Sequence, residues 1–90
     1  MNFLTVKPCK GGAYDVIPKE VVKVDLERLP ALLSEKGYSL VADAGRLAVF
    51  EKECRVTVFN NGRLKVDTAS EETARDVGAE VFSCIKKALI

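Results

Sequence analysis

The residues of this chain best suited to covalent chemistry are its three cysteines, Cys9, Cys54 and Cys84, spaced 45 and 30 residues apart. There is no histidine, so the commonest general base and the hydrolytic triads built on it are missing. An odd number of cysteines without a CxxC pair gives neither a disulfide framework nor a zinc pattern. Cys9 precedes Lys10-Gly11-Gly12. A neighbouring ammonium can lower a thiol pKa, so one reading is redox or sulfur-transfer chemistry at Cys9. Small buried or half-buried thiols in a reducing compartment rank ahead of it. Glu51 and Glu53 lie near Cys54 but read as the end of a strand and its turn, and Gly11-Gly12 forms no phosphate loop. The expectation is a protein without catalytic residues, bound metal or cofactor.

Recognition chemistry has better candidates. Arg55-Val56-Thr57-Val58-Phe59 and Arg63-Leu64-Lys65-Val66-Asp67 alternate apolar with polar residues around Asn60-Asn61-Gly62, which predicts a hairpin. Strand side chains alternate between two faces. Val56, Val58, Leu64 and Val66 are expected to share the covered face, with Leu47 and Val49 of the preceding strand. The opposite face is then expected to carry Arg46, Ala48, Phe50 and Lys52, then Arg55, Thr57 and Phe59, then Arg63, Lys65 and Asp67. That makes five basic groups, one acid and two phenylalanines with no cover from the chain's own helices. The candidate partner-binding residues are Phe50, Phe59, Arg46, Arg55, Arg63, Lys65 and Thr57.

Exposed aromatic residues on a small domain point to an occupant. The plainest occupant is the N-terminal segment or a second copy of the chain, and self-association as a homodimer ranks first. A single-stranded or duplex nucleic acid stacked on or wedged by Phe50 and Phe59 ranks second, and a solvated face third. The net charge of +1, from 14 basic and 13 acidic residues, does not suit a protein that coats nucleic acid indiscriminately. Such binding would need charge segregated onto this face.

The elements that hold this face follow from pattern and punctuation. Ninety residues make one domain, best built as a single sheet under one layer of helix. Phe3–Lys7 alternates weakly, Pro8–Gly12 reads as a turn and Tyr14–Ile17 as a short strand. Glu20–Val24 reads as a better strand. Residues 1–19 are thus an extension or first strand, and 20–90 the core. Pro30 fits only a first helical turn, so the helix with Leu29, Leu32 and Leu33 starts near Glu27–Leu29, runs to Lys36 and closes at Gly37. Tyr38–Asp43 and Arg46–Lys52 are the next strands. After the hairpin, Thr68 with Glu71 fits a capping box and Ser70 is the competing N-cap. The last helix, about Glu71–Leu89, lines up Ala74, Val77, Gly78, Val81, Phe82 and Ile85. The fold class is α+β, in the order β-α-β-β-β-β-α: one curved antiparallel sheet with both helices on one face. No apolar run approaches membrane-spanning length and no signal peptide is evident, so a cytoplasmic location is expected.

The run Arg55–Val66, followed by Ser70-Glu71-Glu72 and Ala74-Arg75, resembles one half of the TATA-box-binding protein (TBP) family. The similarity covers about Glu20–Leu89 in topology and Thr57–Arg75 in residues. It implies that Phe59 stands where the family wedges a phenylalanine into the DNA minor groove, and that the partner wedge falls at Leu47, or at Phe50 with a register shift. Lys65 and Asp67 stand where the family has small or apolar groove-contacting residues. It also implies that a homodimer would be needed to build a full saddle. Half-TBP-like modules also occur attached to ribonucleases H and DNA glycosylases. The hairpin and helix are similar, too, to a segment appended to ubiquitin-activating-like adenylyltransferases of sulfur-carrier pathways, which implies docking to such an enzyme or to a sulfur carrier. The functional expectation is a non-catalytic binding or assembly module, self-associating, with nucleic-acid binding and docking to a cofactor-pathway enzyme as alternatives.

Overall fold

In the computed structural model, which describes residues 4–9 and 11–89, the chain runs β1 (Leu4–Cys9), β2 (Ala13–Pro18), α1 (Leu29–Ser34), β3 (Ser39–Asp43), β4 (Leu47–Glu51), β5 (Arg55–Phe59), β6 (Leu64–Asp67) and α2 (Glu71–Ile85). A 3₁₀ turn at Lys86–Ala88 follows. The strands form one antiparallel sheet in the order β1-β2-β6-β5-β4-β3. The class is the expected α+β.

The N-terminal residues extend the sheet. β1 and β2 form a hairpin across Gly11 and Gly12, both at positive φ, and β2 pairs with β6. The part of the expected first strand at Phe3, and Lys10 of the expected turn, lie outside the described residues. β2 is the core's first strand, which corrects the assignment of a strand to Glu20–Val24. That stretch makes one bridge, Val24 with Leu89. Otherwise the Val22 and Val24 N–H groups donate to the carbonyls of Asn61 and Asn60, at 3.3 and 2.9 Å. β2 already occupies the β6 edge, so these valines have no strand to join, and Val21 is left 85% exposed.

Both helices cover one face of the sheet. Val16, Ala48, Phe50, Val56, Val58, Leu64 and Val66 are fully buried there, in one cluster with Leu29 and Leu33 of α1 and Val81 and Ile85 of α2. α1 starts at Leu29, within the expected range, with Pro30 in its first turn, and ends at Ser34, two residues before the expected Lys36. At α2 the competing cap prevails. The Thr73 N–H donates to Ser70 Oγ at 3.2 Å, while Glu71 pairs with Arg75 at 3.0 Å. Gly78 packs α2 closely on β2: a Cβ there would lie 3.0 Å from a methyl of Val16, which would have to give by a few tenths of an ångström.

The structure corrects the faces of β4. Leu47 pairs with Phe59, Val49 with Thr57 and Glu51 with Arg55. Directly paired residues point to the same side, so Leu47 and Val49 join the outer residues of β5, and Ala48 and Phe50 go under the helices. Phe50 is 0% exposed, a burial that stabilises the fold by about 1.5–3 kcal/mol relative to exposure.

Candidate interaction face

The outer face of the sheet can be read row by row from the strand register. One row runs Lys7, Asp15, Lys65, Thr57, Val49 and Ala42 across β1, β2, β6, β5, β4 and β3. A second runs Asp67, Arg55, Glu51 and Ser39. A third pairs Phe59 with Leu47, with Arg63 beside Phe59 through the Phe59 N–H to Arg63 carbonyl bond of 2.8 Å. No described helix or loop lies over these rows: the helices pack on the opposite face and β1 extends the edge.

Of the expected site residues, the face brings together Thr57, Phe59, Arg55, Arg63 and Lys65. It does not include Phe50, for the register reason given above. Arg46 lies before β4 in an exposed turn, where its carbonyl accepts the Asn60 N–H at 2.9 Å. Lys52 also leaves the face. Its ammonium sits 5.2 Å from the centre of the Tyr38 ring and 3.5 Å from Glu80 of α2, on the helix side.

The gains matter as much. Leu47 and Val49 make a half-buried apolar patch with Phe59. Asp15 and Glu51 add two carboxylates to Asp67. Within each charged row the signs alternate: Lys7, Asp15, Lys65, and Asp67, Arg55, Glu51. Arg55 lies 3.3 Å from Glu51, and Arg63 lies 3.1 Å from Asp15. The expected basic field is therefore a balanced lattice. Beside Phe59 a shallow depression of about 280 Å³ is lined by Asp15, Asn61, Arg63 and Lys65. Glu51 was within reach of sequence reasoning, because a three-residue turn at Lys52–Cys54 sets it opposite Arg55. Asp15 was not, because nothing local shows that β2 joins β6.

A second cluster lies on the helix side, around a cavity of about 170 Å³ lined by Tyr38, Lys52, Glu53, Cys54, Asp76, Val77 and Glu80. Burial, and then the neighbouring Glu80 carboxylate, push the Tyr38 phenol above its ordinary range. Burial, and then Glu53 and Asp67, push the half-buried Cys54 thiol up. A thiol held protonated is a poor nucleophile. Cys84 is buried, and the reading of Cys9 as a reactive thiol concerns a side chain outside the described residues. Among the described residues no group of three or more His, Cys, Asp or Glu side chains is placed to hold a metal ion, and no helix is long and apolar enough to cross a membrane.

No protein-family model, curated protein or solved structure matches this chain.

Proposed function

We propose that this protein is a non-catalytic binding and assembly module of the TBP-like half type, which self-associates through the outer face of its sheet. The observation that carries the proposal is the patch of Leu47, Val49 and Phe59 on a face that no described part of the chain covers. A small domain rarely leaves contiguous apolar surface without an occupant. The element order from β2 to α2, strand, helix, four strands, helix, supports the TBP-like reading.

Nucleic-acid binding draws on Arg55, Arg63, Lys65 and Phe59 sharing this face. The interleaved Asp15, Glu51 and Asp67 count against it, because each would face a phosphate-bearing ligand with like charge. Of the three basic groups, Arg55 and Arg63 are already matched to acids. Docking to an adenylyltransferase or sulfur carrier has no structural observation of its own.

Sedimentation velocity between about 10 µM and about 1 mM, a range that covers weak association, tests the proposal. The expected outcome is a mass that rises with concentration above that of one chain and falls back in Phe59→Lys. A single-chain mass throughout, with oligonucleotide titration moving the amide signals of Arg55, Phe59 and Lys65, would transfer the face to the second reading.

A further inference from the structure

Self-association through the outer face leaves open how two copies are set against each other, and the sheet edges are the competing surfaces. An exposed edge strand invites pairing, and proteins blunt it with proline, lysine or a bulge. The β1 edge carries Lys7 and Pro8, and proline has no N–H to offer a ladder. The β3 edge carries a bulge between Leu40 and Ala42, which breaks the regular register that a pairing strand would need. Each edge thus carries a feature that opposes a regular pairing strand, β3 even with Leu40 and Val41 47% and 48% exposed, and the outer face is the better surface for a second copy.

The two central strands of that face mirror each other in character. β5 presents Phe59, Thr57 and Arg55; β4 presents, directly opposite, Leu47, Val49 and Glu51. Aromatic meets aliphatic, threonine meets valine, and cation meets anion. We propose that two copies stack outer face on outer face about a two-fold axis running along the strands between β4 and β5. Such an axis exchanges β4 with β5. It sets Phe59 over Leu47, Thr57 over Val49 and Arg55 over Glu51 of the second copy, and each contact occurs twice, as an isologous interface requires. An axis along β5 itself would set Arg55 on Arg55, and one along β4 would set Glu51 on Glu51. Charge thus selects the axis between them. The strand axes of the two sheets stay aligned, which suits the slightly rotated packing of stacked sheets.

This inference rests on the self-association reading and adds its symmetry axis and register. Its scale follows from strand geometry. Four strands about 4.8 Å apart and five residues at about 3.4 Å give a footprint of about 19 by 17 Å. That is about 320 Å² per copy, below the usual size of a stable specific interface, so the dimer is of the weak, transient kind.

The register makes a charge-exchange experiment decisive. Arg55→Glu alone and Glu51→Arg alone each place like charges face to face in the homodimer. Both are expected to sediment as single chains at concentrations where the wild type dimerises, at least tenfold weaker in association. An equimolar mixture of the two variants restores both cross-copy pairs, and is expected to dimerise as the wild type does. The double exchange Arg55→Glu with Glu51→Arg in one chain restores them as well and serves where a single variant loses its circular-dichroism signal. A simple loss of folding would not be rescued by mixing. Single variants that dimerise as tightly as the wild type would overturn this register and leave self-association standing. Single variants that weaken the dimer without rescue on mixing would overturn it too. A wild type that stays single-chain to about 1 mM would overturn both.

Discussion

The two faces of this sheet share a backbone and differ in almost everything else. Along β5, Val56 and Val58 are fully buried, whereas Arg55 is exposed and Thr57 and Phe59 are half-buried. Along β4 the same split separates Ala48 and Phe50 from Leu47, Val49 and Glu51. Along these two strands the inner face is apolar and packed under α1 and α2; the outer face mixes an apolar patch with alternating charge. Folding free energy is therefore concentrated on one side, and the other side contributes less to it. A pair of phenylalanines tests this split most sharply. Phe50→Ala opens a cavity in the sealed layer and is expected to cost about 3–5 kcal/mol in urea unfolding. Phe59→Ala, measured at low protein concentration, is expected to cost about 1 kcal/mol or less. Equal costs would dissolve the distinction between the faces.

The turn that ends β5 lets the split be probed without touching either face. Gly62 has φ +90°, and a Cβ there would come within 2.5 Å of a Val22 methyl. Gly62→Ala combines a left-handed backbone with a clash against a branched side chain and is expected to cost about 2 kcal/mol. The outer rows should keep their register, so the amide pattern of Thr57 and Lys65 should persist in the folded fraction. A cost near zero would mean that the 19–24 segment gives way easily and does not brace the hairpin.

How far these faces could be read from sequence depended on alternation. β5 and β6 alternate strictly, and their inner and outer residues are as expected. β4 reads Leu47-Ala48-Val49-Phe50, four apolar residues in a row, so its pattern names a buried strand without naming its faces. Only the partner register decides, and that is a tertiary fact. The same holds for β2: its pairing with β6 brings Asp15 48 residues along the chain to Arg63, and turned an expected basic face into a balanced one. The capping choice between Thr68 and Ser70 was open locally and was settled by Ser70 accepting the Thr73 N–H. The reason for Gly78 was readable because a glycine amid the apolar stripe of a helix implies a closely packed neighbour.

The inner side also holds the groups whose protonation the fold alters. Tyr38 and Cys54 both have pKa values raised above their ordinary 10.0 and 9.0. With both raised, their contribution to stability is fully present below the unfolded values and is lost as pH rises through the folded ones. Thermal unfolding midpoints are therefore expected to fall between about pH 8.5 and pH 11. Tyr38→Phe should flatten the fall above about pH 10, and Cys54→Ala the earlier part. A profile unchanged in Tyr38→Phe would mean that the phenol is not held in a dry site between Lys52 and Glu80.

The smallest expected effect is the one on which the outer face most depends. Arg63 and Asp15 lie 3.1 Å apart, with side chains 47% and 21% exposed, and pairs this open to water contribute about 0–1 kcal/mol. Arg63→Met keeps the aliphatic stem and removes the charge. It is expected to lower stability by less than about 1 kcal/mol, with the difference shrinking further in salt. Arg63 borders Phe59 at the rim of the proposed interface and Asp15 lies on β2 beyond it, so dimerisation should change less than in the Arg55 and Glu51 variants. A loss of several kcal/mol would show that β2 is held to β6 by charge, making the outer face part of what folds the chain. A large loss of dimer with stability unchanged would instead move the interface from β4 and β5 toward β6 and β2, where Phe59 meets Arg63 and Lys65.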